Sequence, residues 1–251
     1  MSIVSYEHNF VFIKTKKVAG TSVEAHLRGF AGECDIVPAV TPRDEHYCAS
    51  RGHMSKNYLK FAANEQIYTD LVLAGKYDEA ASFLSGQKKS AFSHMDYSYC
   101  KNLVEASGFD VGGFYSFSID RHPYSWLLSS VLYDNAQYNS VGGVFWEFDV
   151  GKINYAIAKF MDQPGFYKKI NWNKYTEGGR VVVDRVIDFD DLSKGLSEVL
   201  QVLGLPSDLA GFPDLKKSSR HLDAFHILDF ANKARAQTLF SEAFSFMNYD
   251  V

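Results

Sequence analysis

Apolar positions in the chain fall into two kinds of run. Four short stretches rich in β-branched and aromatic residues read as strands: FVFIK at 10–14, SAF at 90–92, FYSFSI at 114–119 and VVVDRVIDF at 181–189. Helix-like stretches follow three of them. After residue 189, Leu192, Leu196, Val199, Leu200 and Leu203 recur at helical spacing. Asp190, Asp191 or Ser193 can cap the start, and Gly204 and Pro206 end it. A last helix is expected over about 229–246, with Ala236, Leu239, Phe240 and Ala243 turned inward. Strands alternating with helices imply an α/β fold with a central parallel sheet, whose ligands sit beyond the carboxyl ends of the strands.

Composition narrows the picture. A chain of 251 residues, 46% hydrophobic, can bury a sizeable core, and no repeat, low-complexity tract or charged run marks a linker, so 1–251 reads as one domain. No stretch approaches the roughly 18 apolar residues of a membrane helix. The opening MSIVSYEHNF lacks a basic region followed by an apolar one, which makes a cytoplasmic protein the expectation. Cys34, Cys48 and Cys100 are odd in number and show no paired spacing, which argues against a disulfide framework or a structural zinc. The net charge of −4 argues against nucleic acid as a partner, so any polyanion must meet a local basic cluster.

Two strand-turn-helix passages carry candidate chemistry. In FVFIKTKKVAGTSVEAHL, 10–27, a strand enters a helix through a short turn, and such a turn presents free N–H groups and a positive dipole end to an anion, usually a phosphate. The nucleoside-triphosphatase loop needs Gly-Lys-Ser/Thr; here Lys14, Lys16 and Lys17 all precede Gly20, so that loop is disfavoured. In FYSFSIDRHPYSWLLSS, 114–130, Arg121 stands at the turn, Pro123 favours the helix start and Ser129 follows eight residues after the Arg. A guanidinium there can grip a second phosphate. A lone Arg of this kind reads more readily as the partner of a surface carboxylate.

Together the two turns resemble the signatures of sulfotransferases that use 3′-phosphoadenosine-5′-phosphosulfate (PAPS). KKVAGTS, from Lys16 to Ser22, is similar to that family's first loop, and RHPYSWLLS supplies the Arg, Pro and Ser of its second. VDRVIDFDDLSKGLSEVLQVLGLP and FSEAFSFMNYD look like its late strand and helix and its end, whereas 30–90 matches least. Lys16 stands where many members have Pro, His122 follows the Arg in place of Asn or Asp, and Trp126 replaces a frequent Arg.

The resemblance implies a P-loop-like three-layer fold in which a central parallel sheet is flanked by helices. It also implies transfer of a sulfuryl group from PAPS, without a metal, to a hydroxyl of a carbohydrate or small metabolite. Lys17 would contact the leaving phosphate oxygen, and Ala19, Gly20, Thr21 and Ser22 would hold the 5′-phosphate. Arg121 and Ser129 would hold the 3′-phosphate, and Arg220, in LKKSSRHLDAF, belongs to a loop that would close over the nucleotide. His94, in SAFSHMDYSYCKNL, takes the place of the general base, with His53 in SRGHMSKNY as its rival. Aromatic residues of 133–146 could line an acceptor cleft. A P-loop kinase or other phosphotransferase, and a non-catalytic nucleotide-binding interaction module, are the alternatives.

Overall fold

The side chains of FVFI alternate between two apolar clusters, Val11 and Ile13 entering one and Phe10 and Phe12 the other. Such alternation, with both sides buried, marks an interior strand of a sheet covered on both faces. The computed structural model describes residues 2–140, 149–213, 215 and 222–251. Its strands are β1 (Ile3–Ser5), β2 (Phe10–Ile13), β3 (Tyr115–Asp120), β4 (Thr176–Glu177), β5 (Arg180–Val181) and β6 (Arg185–Asp188). One mostly parallel sheet has the order β1-β2-β3-β6, with only β1 antiparallel to its neighbour. Ile13 pairs with Ser118 and Asp120 with Asp188, so β2, β3 and β6 all end at the same edge.

The helices are α1 (Gly20–Leu27), α2 (Pro42–Ala49), α3 (Ala63–Leu73), α4 (Tyr77–Ser85), α5 (Tyr97–Ala106), α6 (Pro123–Ser140), α7 (Val150–Met161), α8 (Leu192–Val202), α9 (Ala224–Ile227), α10 (Phe230–Leu239) and α11 (Ser241–Met247). Val23 and Leu27 of α1 and Leu196, Val199 and Leu200 of α8 share one cluster with Phe117 and Ile187. The other holds Leu127 of α6, Ile157 of α7, Tyr68 and Val72 of α3, and Ala236 and Phe244 of α10 and α11. No helix among the described residues is long and apolar enough to cross a membrane.

Several sequence expectations are corrected here. SAF at 90–92 is no strand: the N–H groups of Ser90 and Ala91 both donate to the single carbonyl of Tyr58, and one isolated bridge, Leu59 with Lys89, is all the ladder there is. The run 181–189 divides, its first residue pairing in the β4–β5 hairpin and 185–188 joining the main sheet. The helix expected over 229–246 breaks at Phe240, whose buried ring packs against Trp126 and Phe166. α8 stops where Gly204 takes φ +67°, the amides of Gly204 and Leu205 closing on the carbonyls of Gln201 and Leu200. Only a residue tolerant of that region fits so tight a stop.

Beneath α1 runs a buried chain of charge. Glu24 accepts from Lys14 Nζ at 2.8 Å and from Arg28 at 2.7 Å, and Arg28 donates onward to Glu45 at 3.0 Å. Burial alone would raise the Glu24 pKa, but the Lys14 and Arg28 cations more than offset it and hold the carboxyl well below its usual range. Glu45 also accepts the backbone N–H groups of Val40 and Ser55. Removing the central cation leaves Glu45 buried without a cation among the described residues and Glu24 with Lys14 alone, so Arg28→Met is expected to cost about 3–5 kcal/mol. Urea unfolding followed by circular dichroism checks this; an unchanged midpoint would show that the carboxylates do not depend on Arg28.

Candidate functional site

Among the described residues, six other than glycine have positive φ: Asn9, Lys17, Ala19, Asn57, His94 and Asn248. Asn visits that region readily and His more than most residues; Lys and Ala do not. Lys17, Ala19 and His94 all gather at the carboxyl end of β2. Lys17 (φ 63°) and Ala19 (φ 53°) form the turn into α1, and His94 (φ 57°) bonds through Nδ1 to the carbonyl of Lys14 at 3.0 Å. Strain of this kind persists only where the surroundings over-determine it, and it clusters at functional sites.

The left-handed turn aims backbone donors outward. Ala19 occupies the N-cap position without a side-chain cap, and its carbonyl accepts from Ser22 and Val23. Among the described residues, the N–H groups of Val18, Ala19, Gly20 and Thr21 have no acceptor. Successive free amides on alternating backbone conformations at a helix start form an anion-binding nest. Gly20 is required for a reason the sequence did not suggest: a Cβ there would lie 2.9 Å from Lys14 Cε, because the Lys14 stem runs directly beneath the helix start.

Arg121 meets this turn from the next strand. Its Nη1 donates to the carbonyl of Lys17 at 3.2 Å, its guanidinium lies 4.5 Å from the Phe189 ring centre, and its Nε is buried without an acceptor among the described residues. Burial lowers its pKa, and no carboxylate among the described residues lies within ion-pair distance. The reading of Arg121 as the partner of a surface carboxylate is therefore not what the structure holds. Lys16, half-buried, is likewise pushed down, first by burial and then by Lys174 and Lys169. Lys17 Nζ lies 3.7 Å above the ring of Tyr133. A chain of net charge −4 thus concentrates cations at one strand edge.

Two residues that sequence reasoning missed lock the turns together. The Asp120 carboxylate accepts from the Arg121 N–H at 2.8 Å, from Asn171 Nδ2 at 3.0 Å and from the Tyr175 hydroxyl. Asn171 in turn accepts from the Lys16 N–H at 2.8 Å and donates to the Lys16 carbonyl at 3.0 Å. Burial raises Asp120 to about 6 in spite of these bonds. Its place in SIDRHP, at a strand end beside the Arg, was a signal; Asn171 had none, lying 155 residues from its partner.

The remaining candidates differ in placement. The Ser22 hydroxyl bonds to both the N–H and the carbonyl of Leu215, at 3.0 and 3.3 Å, so it tethers a distant segment instead of facing the nest. Thr21 accepts from Lys14 Nζ at 3.3 Å. Ser129 lies half-buried on α6 and makes no hydrogen bond among the described residues. Arg220 lies outside the described residues, as do the aromatic side chains of 133–146 beyond Tyr133. His53 packs on Gly29, and the Arg28 guanidinium donates to its carbonyl at 3.5 Å, at the end of α1 away from Lys17. His122 is a packing residue: Nε2 donates to the Asp250 carbonyl, Nδ1 accepts the Tyr124 N–H, and the ring touches Phe225, Phe244 and Tyr249. Trp126 is buried between Phe160, Phe166 and Phe240.

Because a carbonyl only accepts, His94 Nδ1 carries the proton and Nε2 keeps its lone pair. Burial, aided by Lys14 and Lys16, lowers its pKa to about 3, against the lift from the Lys14 carbonyl. The imidazole is therefore neutral from pH 8 down to about 4 and protonates only below. Nitrogen-15 NMR should show one Nδ1–H tautomer unchanged from pH 8 to 5; titration near the ordinary value of about 6.5 would refute the burial argument. The sign for stability follows: the unfolded chain binds a proton on His94 below about 6.5 and the folded one does not, so this group withdraws stability as pH falls from there towards 3.

Comparison with models of known families, with curated proteins and with solved structures gives no match for this chain.

Proposed function

We propose that this protein is a PAPS-dependent sulfotransferase with a P-loop-like three-layer fold, moving a sulfuryl group to the hydroxyl of a carbohydrate or small metabolite. The observation that carries the reading is the pairing of two cation-rich turns on adjacent parallel strands. Among the described residues, one offers four amides without an acceptor beside Lys17, and the other a desolvated Arg121 with no carboxylate at ion-pair distance. A nucleoside phosphorylated at one position fills one turn; a 3′,5′-bisphosphate has a phosphate for each.

In the reaction the S–O bond to the 5′-phosphate breaks while the S–O bond to the acceptor forms, and the acceptor's proton passes to His94 Nε2. Lys17 and the nest amides meet the charge growing on the departing phosphate oxygen, an electrostatic role worth several kcal/mol in comparable transfers. Val18 joins Ala19, Gly20 and Thr21 in holding that phosphate, while Ser22 supports the loop from behind. Arg121 takes the 3′-phosphate through its buried Nε edge.

Thermal shift tests this directly. 3′,5′-Adenosine bisphosphate should stabilise the protein more than AMP or ATP and do so without magnesium, since a ligand of the folded state raises stability by mass action. Stabilisation by ATP that requires magnesium would favour a phosphotransferase instead. Arg121→Ala should weaken bisphosphate binding roughly tenfold to a hundredfold by removing charge-assisted bonds. Lys17→Ala and His94→Ala should each abolish turnover, His94→Ala with bisphosphate binding nearly intact. A fully active His94→Ala protein would sink the base assignment.

A further inference from the structure

A cavity of about 230 Å³ opens at Ser93, the residue before His94, lined also by Pro38, Ala39, Tyr58, Leu84, Ala91 and Phe92, with Lys89 and Ser93 as its polar members. Its volume exceeds the roughly 150 Å³ of an engineered apolar cavity that takes benzene, so one substituted ring fits. Both walls are fixed to the candidate nucleotide site. Ala91, Phe92 and Ser93 form one wall, and the next residue is His94, about 3.8 Å on between Cα atoms, bonded to Lys14. Pro38 of the opposite wall gives its carbonyl to Arg28 Nη2 at 2.7 Å, joining it to the Glu24–Lys14 ion pair.

The lining is held ready for a ligand. The N–H groups of Ser90 and Ala91 are tied to Tyr58, Tyr99 donates to the Ser90 carbonyl at 2.8 Å, and the Phe92 ring packs edge-on against Tyr99 at 4.8 Å. A carbohydrate needs polar partners around its rim, and this lining supplies few. Lys89 is its only charged side chain, is exposed and makes no ion pair among the described residues.

We infer that this cavity binds the body of the acceptor, a compact hydroxylated aromatic or similarly apolar ring bearing an anionic substituent that Lys89 meets. Calling the ligand an acceptor rests on the sulfotransferase reading; the binding itself does not. Ring stacking against Tyr58 and Phe92 supplies the attraction, and the cation at the rim selects the sign of the substituent.

Titration calorimetry without nucleotide tests the inference, with 4-hydroxyphenylacetate, 4-ethylphenol, tyramine and methyl glucoside as probes. The acid should bind tightest, a few-fold ahead of the neutral phenol as expected of an exposed ion pair, with tyramine weaker and the glucoside undetectable. Lys89→Glu should reverse the order of acid and amine, and Ser93→Trp should fill the space and remove binding of all three aromatic probes. Each variant should keep the wild-type thermal shift with bisphosphate, which shows the fold intact. No binding by the phenols, preference for the glucoside, or an order unmoved by Lys89→Glu overturns the inference. Loss of the bisphosphate shift in the wild type, with phenol binding retained, would instead remove the sulfotransferase reading and leave the cavity standing.

Discussion

Glu24 sits on α1 with one carboxylate oxygen 2.8 Å from Lys14 and the other 2.7 Å from Arg28, all three side chains buried. Lys14 is the residue immediately after β2, so this bond pins the end of the strand under the start of the helix it feeds. With both ends held, the five residues between must turn sharply, and the left-handed φ of Lys17 and Ala19 is the result. A single left-handed residue of this type costs about 1–2 kcal/mol, less than the roughly 3–5 kcal/mol that breaking one buried ion pair would cost. The outward-facing amides are thus a consequence of the charge chain below them.

The same constraint accounts for Gly20. Phosphate-binding turns are commonly explained by glycine letting the ligand approach, yet here the close contact is on the inner side, where the Lys14 stem occupies the volume a Cβ would need. The helix start is lowered onto a buried cation that faces Glu24 on one side and Thr21 on the other. Lys14 therefore acts as a strut, and Lys16, Lys17 and Arg121 are the cations placed towards the site.

Legibility in the sequence followed the range of the interaction. β2, β3 and α8 could be read because periodicity and capping are local, and both turns were visible as strand-to-helix junctions. The short β1 and β4 carry too few residues for a period to register. SAF at 90–92 looked like a strand because burial and extension are common to strands and to cavity walls; what it lacks is a partner ladder, which no local pattern reports. At the site, Lys17, Gly20, Arg121 and His94 could be named from motif and order. Asp120 was in view but carried no evident task, and Asn171, which clamps the Lys16 backbone to Asp120, was invisible because its role exists only in three dimensions. Ser22 carries a contact that its motif position does not report, the bond of its hydroxyl to Leu215.

On the proposed reading, His94 by itself is a weak base. His94 is neutral with the correct lone pair, but a conjugate acid of pKa about 3 accepts protons weakly at neutral pH. Burial is the larger cause, and the positive charge of Lys14 and Lys16 is a further one. An anion seated in the nest counters that positive charge, and its own field favours the imidazolium. Filling the nucleotide site therefore strengthens the base that the acceptor will meet, and the hydroxyl in the neighbouring cavity becomes easier to deprotonate only when the sulfuryl donor is in place. The link runs through the Lys14 backbone carbonyl and side chain, which contact His94 and the buried carboxylate respectively. On this reading, one residue at the end of one strand would couple donor binding to acceptor activation, with no moving part required.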